Sequence, residues 1–114
     1  MSGYDCPSRS REQFTLSIQA LDGRAGLRLV GEVDLHSRGI LEQALAAALE
    51  HGGDVHLELA GLGFIDVGGA TLFVRAASQL GDNRRLVLHQ PSDTLRRIIH
   101  LLWGPLPTIE MDPS

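Results

Sequence analysis

The stretch Gly61-Leu62-Gly63-Phe64-Ile65-Asp66-Val67-Gly68-Gly69-Ala70 sets one carboxylate and a pair of glycines between an apolar run and the start of a helical pattern. Free N–H groups at a helix N-terminus attract anions, and glycines let a phosphate or a partner's backbone come close. Such a turn can hold an anionic ligand. Alternatively, Asp66 simply caps the helix, its carboxylate accepting bonds from the first-turn N–H groups. The spacing favours the cap. The segment lacks the lysine and the full spacing of a P-loop, and it is not G-x-G-x-x-G, so nucleotide binding has weak support.

The other reactive side chains are scattered. His36, His51, His56, His89 and His100 show no metal-ligand spacing, and the lone Cys6 pairs with none of them in a nucleophile signature. They read as surface histidines. His56 and Glu58 lie on one strand face at i, i+2 and are a candidate acid–base pair, a pattern that a solvated sheet face also produces. Arg84-Arg85 and Arg96-Arg97 read as basic pairs that solvate a face. The expectation is therefore no enzyme, no metal and no cofactor.

The elements that position these residues follow from periodicity. Residues 1–12 carry no pattern and read as a flexible leader, leaving 13–112 as one domain. Phe14, Leu16, Ile18 and Ala20 alternate with polar residues, as do Leu27, Leu29 and Gly31 after the Asp22-Gly23 turn signal, which predicts an opening hairpin. Leu41, Ala44, Leu45, Ala48 and Leu49 share a helical face, with Ser37 as its cap and Gly52-Gly53 as its stop. Val55, Leu57 and Leu59 predict a short strand, and a second helix follows Gly68-Gly69. A strand over residues 85–89, a helix capped by Ser92 with the stripe Leu95, Ile98, Ile99 and Leu102, and a last strand over 108–111 complete the order β-β-α-β-α-β-α-β. Each strand-helix-strand unit implies a right-handed crossover and a parallel pair, so the fold class is α/β with a mixed sheet of four to five strands and packed helices. The predicted core is Leu41, Leu45, Leu49, Val55, Leu57, Leu59, Phe73, Val74, Ala77, Leu86, Leu88, Leu95, Ile98 and Ile99.

Composition narrows the function classes. A chain of 114 residues with 43% hydrophobic and 21% charged residues suits one globular core. A net charge of −4, with ten basic residues among fourteen acidic ones, offers no footprint for a phosphate backbone, and 4% aromatics offer no stacking platform for single-stranded nucleic acid. One cysteine allows no internal disulfide, which suits a reducing compartment. No apolar run reaches the roughly 18 to 20 residues of a membrane helix, and residues 1–12 lack the apolar region of a signal peptide. The expected location is the cytoplasm, without direct membrane insertion.

Taken in order, Gly31-Glu32-Val33-Asp34-Leu35, Leu62-Gly63-Phe64-Ile65-Asp66, Leu86-Val87-Leu88 with Pro91, and Leu95-Arg96-Arg97-Ile98 resemble the STAS domain family, in its anti-sigma factor antagonist type. The resemblance spans roughly Phe14 to Met111. It implies a STAS fold and a protein–protein interaction module that binds an anti-sigma factor of the serine-kinase type, with phosphorylation breaking the complex. In the family the phosphorylated serine directly follows the aspartate. The matching segment here is Asp66-Val67-Gly68-Gly69, so Val67 stands at the phospho-acceptor position and the hydroxyl is lost. The partner-binding residues implied are Asp34, Asp66, Val67, Gly68, Gly69 and Thr71. Thr71 is expected to bond back to a helix carbonyl and not to take a phosphate. A STAS scaffold in another assembly, such as a lipid-transport ABC system, and a small-molecule or nucleotide sensor are the alternatives, and a homodimer stays open.

Overall fold

The computed structural model describes residues 16–81 and 83–113. The leader, Cys6 and Phe14 lie outside them. The element order matches the expectation: β1 (Leu16–Ala20), β2 (Gly26–Val33), α1 (Arg38–Leu49), β3 (Val55–Ile65), α2 (Val67–Ser78), β4 (Leu86–His89), α3 (Asp93–Trp103) and β5 (Ile109–Asp112). The strands form one five-stranded sheet in the spatial order β1-β2-β3-β4-β5. β1 pairs antiparallel with β2, and every later neighbour is parallel.

Three parallel crossovers step in the same direction along this sheet. Because such crossovers are right-handed, all three helices fall on one face. α1 packs beside α2 and α2 beside α3. Alternation along β3 shows the result: Val55, Leu57 and Leu59 are buried, while His56 and Glu58 between them are half-buried on the other face. The start of β2 is held unusually close to β3. Gly26 has φ of 150°, and a Cβ there would lie 1.9 Å from the carbonyl oxygen of His56, so only glycine fits.

β3 is longer than its sequence suggests. The alternation stops at Leu59, but the strand runs on through Ala60, Gly61 and Gly63 to Ile65. Its second half pairs with β2 through two register shifts, between Arg28 and Val30 and between Gly31 and Glu32. Bulges of this kind bend a strand and break its side-chain period, which hides it from a period-based reading.

The core contains Leu41, Leu45, Val55, Leu57, Leu59, Phe73, Ala77, Leu86, Leu88, Leu95 and Ile99 as expected, whereas Leu49, Val74 and Ile98 are partly buried against it. β2 contributes Leu27, Leu29 and Val33, and the loop side adds Ile65 and Ala70. One stripe position is corrected. Leu102 is 56% exposed, because the buried ridge of α3 follows Leu95, Ile99 and the partly buried Trp103 at four-residue steps.

Candidate functional site

β2 and β3 end side by side, with Val33 opposite Ile65, so the two loops that follow them emerge together at the N-termini of α1 and α2. This is where parallel strands hand over to helices and where open α/β sheets present their sites. The Asp66 N–H donates to the Val33 carbonyl at 3.3 Å, which ties the two strand ends at the last residue.

The first loop is locked by its own side chains. Asp34 Oδ1 accepts from the N–H groups of His36 at 2.9 Å and Ser37 at 3.2 Å. The buried Ser37 hydroxyl accepts from the Asp34 N–H at 3.0 Å and lies 3.2 Å from the Glu32 carbonyl, to which it donates. Ser37 therefore occupies the N-cap position of α1 without capping it through its side chain, which corrects the sequence reading. Its hydroxyl is already committed to the loop.

On the second loop Asp66 caps α2: Oδ1 accepts from the Gly69 N–H at 2.8 Å. Oδ2 accepts from Arg38 Nη2 at 2.7 Å. Burial alone would push this carboxyl upward, but the Gly69 amide and the Arg38 guanidinium outweigh it and hold Asp66 below the usual carboxylate range. Both glycines are matched to close neighbours. A Cβ on Gly68 would meet Arg38 Cζ at 2.1 Å, and one on Gly69 would meet Val33 Cγ1 at 2.5 Å. The Thr71 hydroxyl donates to the Val67 carbonyl at 2.7 Å, the back-bonding expected of a helical threonine.

Four large apolar side chains are exposed at the ends of these elements. Val67 is 49% exposed, Leu35 70%, Ile40 60% and Phe64 50%, each from a different loop or element end. The structure thus brings Asp66, Val67, Gly68, Gly69 and Thr71 together on one turn and sets the Asp34 loop beside them through Arg38. Sequence reasoning missed Arg38, Leu35, Ile40 and Phe64. Arg38 lies 28 positions from its partner, and no local pattern joins them.

The Gly69 amide and an Arg38 Nη2 N–H are taken by Asp66, whose own charge opposes an incoming anion, while Arg38 Nε is buried without a hydrogen-bond partner. Among the described residues, no group of three or more His, Cys, Asp or Glu could hold a metal ion.

A second polar array crosses the helix-free face of the sheet. Arg28, Glu58, His89 and Asp112 align in one row across β2 to β5. Arg28 grips Glu58 Oε1 with Nε at 3.0 Å and Nη2 at 2.9 Å. Hydrogen bonds from Arg28, followed by the charge of Arg28 and a contact with Arg24, hold Glu58 below its ordinary range. The candidate His56–Glu58 pair does not form, and Glu58 is held by Arg28 and Arg24. His56 instead meets His89, Nδ1 to Nε2 at 2.9 Å with the rings stacked, and His89 Nδ1 meets Asp112 Oδ2 at 3.0 Å. Contrary to the surface reading, these two histidines are half-buried and joined.

Comparison with known proteins agrees with this fold. The family model described as Mlab, STAS domain matches residues 16–102, so the chain belongs to the STAS domain family. Among curated proteins no relative matches it. An anti-sigma factor antagonist from Mycobacterium paratuberculosis is 25% identical with a TM-score of 0.67, over 88% of this chain and 86% of that one. The anti-sigma factor antagonist SpoIIAA in its unphosphorylated form is 21% identical with a TM-score of 0.63, over 88% and 89% of the two chains. The Bacillus cell fate determinant SpoIIAA in its phosphorylated form is 19% identical with a TM-score of 0.62, over 85% and 90%. No helix among the described residues is long and apolar enough to cross a membrane.

Proposed function

We propose that this chain is a cytoplasmic anti-sigma factor antagonist that docks on an anti-sigma factor of the serine-kinase type and is not released by serine phosphorylation. The observation that carries the reading is Val67. It stands half-exposed directly after the capping aspartate, with Leu35, Ile40 and Phe64 exposed at the ends of the neighbouring elements, and it has no hydroxyl to accept a phosphate. A phosphate here would bring roughly −1.5 to −2 charges next to Asp66 and oppose docking. The side chain present instead adds apolar contact area.

A pull-down with a serine-kinase anti-sigma factor tests the reading, comparing the parent chain with Val67→Asp. The parent is expected to bind. The variant buries an unpaired carboxylate at the centre of the interface and is expected to lose binding while keeping its circular dichroism spectrum. Equal binding by the two would remove the Asp66 face from the interface. The missing hydroxyl also suits a STAS scaffold in another assembly, such as a lipid-transport ABC system, and recovery of a membrane ABC component in place of the kinase would select that reading.

A further inference from the structure

On the helix-free face of the sheet a chain of side chains crosses three strands. His89 on β4 lies opposite Asp112 on β5 and diagonal to His56 on β3, which itself lies opposite Val87. His89 Nδ1 is 3.0 Å from Asp112 Oδ2, and its Nε2 is 2.9 Å from His56 Nδ1. Ring atoms in van der Waals contact sit at about 3.5 Å, so a hydrogen lies between the two imidazole nitrogens. The carboxylate can only accept, which makes His89 Nδ1 the donor to it and leaves Nε2 as the acceptor of the neutral ring. His56 Nδ1 then carries the shared hydrogen, and both neutral rings are Nδ1–H tautomers.

The pair therefore takes up protons in two unlike steps. A first added proton is accommodated: His89 becomes the imidazolium, its Nε2–H donates to His56 Nδ1, and the hydrogen of His56 moves to Nε2, so every contact in the chain survives. A second proton makes His56 an imidazolium as well. Two N–H groups then point at each other across 2.9 Å between two positive rings, and the contact must open. His89 is held by Asp112, so His56 is the ring that leaves. The charges around the pair agree. Arg24, in the turn before β2, and Arg28 on β2 are both engaged with Glu58, and Arg85, just before β4, donates to the Pro107 carbonyl. Burial, then the charges of Arg24 and His89, disfavour a proton on His56 in its present place, while Asp54 and Glu110 are the carboxylates toward which it can turn. Val87 is the side chain that this movement uncovers. It is only 6% exposed, yet it lies outside the core cluster that holds its neighbours Leu86 and Leu88, and His56 stands directly across from it.

We propose that His56, His89 and Asp112 form an acid-triggered latch, which stays closed with one added proton and opens on the second, turning His56 out and uncovering Val87 on the helix-free face.

The test follows the ring nitrogens of the isotope-labelled full chain by long-range proton–nitrogen NMR between about pH 8 and about pH 5, which spans histidine titration. The exposed His36, His51 and His100 serve as references. Both rings of the pair are expected as Nδ1–H tautomers at the high end. They should protonate in two steps that belong to the pair and not to either ring alone. The second step should abolish the nuclear Overhauser contact between the two rings and open the Val87 methyls to a dissolved paramagnetic probe. His56→Gln should leave His89 with a single step and make the accessibility of Val87 independent of pH. An Nε2–H tautomer at His56 at the high end, a His89 titration unaltered by His56→Gln, or Val87 methyls still protected at the acid end would each overturn the proposal. Loss of the dispersed amide spectrum before the ring contact opens would overturn it as well, since the latch requires a folded chain.

Discussion

The guanidinium of Arg38 lies across Gly68 and donates to Asp66 Oδ2 at 2.7 Å, so the first residue of α1 pins the turn that starts α2. The pair is about one-third exposed on each side, which limits its worth. Arg38→Ala should cost about 0.5 to 1 kcal/mol in urea unfolding. Gly68→Ala forces the guanidinium aside and should cost a similar amount in the parent but little in the Arg38→Ala background. A double-mutant cycle reads that coupling, and strictly additive losses would show that the two residues do not share this contact.

The same turn has an acid limit. The folded-state carboxyl of Asp66 titrates below its unfolded value. Its contribution is therefore complete above the ordinary carboxylate range and is lost as pH falls through the folded value. Acid unfolding should begin at higher pH in Arg38→Ala than in the parent, followed by tryptophan fluorescence of Trp103.

His56 sets a second, milder window. Burial, then the positive charge of Arg24 and the neighbouring His89, lower its pKa, partly countered by Asp54 and Glu110. A depressed imidazole makes the unfolded chain the better proton binder, so stability is present above the ordinary histidine range and is lost as pH falls. Urea midpoints should drop between about pH 7.5 and about pH 5 and should drop less in His56→Gln. An equal drop in both proteins would assign the effect to other groups.

At the centre of the sheet, Leu57 is fully buried between β2 and β4. Leu57→Ala should lose about 2 to 5 kcal/mol through transfer and cavity terms. A loss under about 0.5 kcal/mol is the surface range and would contradict its place in the core.

Phosphorylation offers the most direct check on regulation. Incubation with a serine-kinase anti-sigma factor and ATP should leave the intact mass of the parent chain unchanged, whereas Val67→Ser should gain one phosphate. A phosphate on the parent mapped to residues 66–71 would contradict the reading.

Local signals made much of this visible in the sequence. The alternation of Val55, Leu57 and Leu59, the four-residue ridge of α1 and the capping aspartate three residues before Gly69 each act within one or two turns of chain. What escaped depends on distance along the chain. Arg38 meets Asp66 across 28 positions, and His56 meets His89 across 33. The glycine-rich half of β3 escaped for another reason, since its strand identity rests on a bulged partner and not on its own period.

The spatial order of the strands is also their order of synthesis. Each strand that leaves the ribosome finds its neighbour already made, and no pairing waits for a segment still to come. Growth is therefore vectorial, with only the connection through a single helix to close at each step, which keeps loop-closure costs low. Until β5 arrives, the nascent sheet ends at the apolar Leu86-Val87-Leu88 edge of β4, an adhesive margin of the kind that chaperones screen. The last four-residue strand therefore covers this apolar edge of β4 as it completes the sheet.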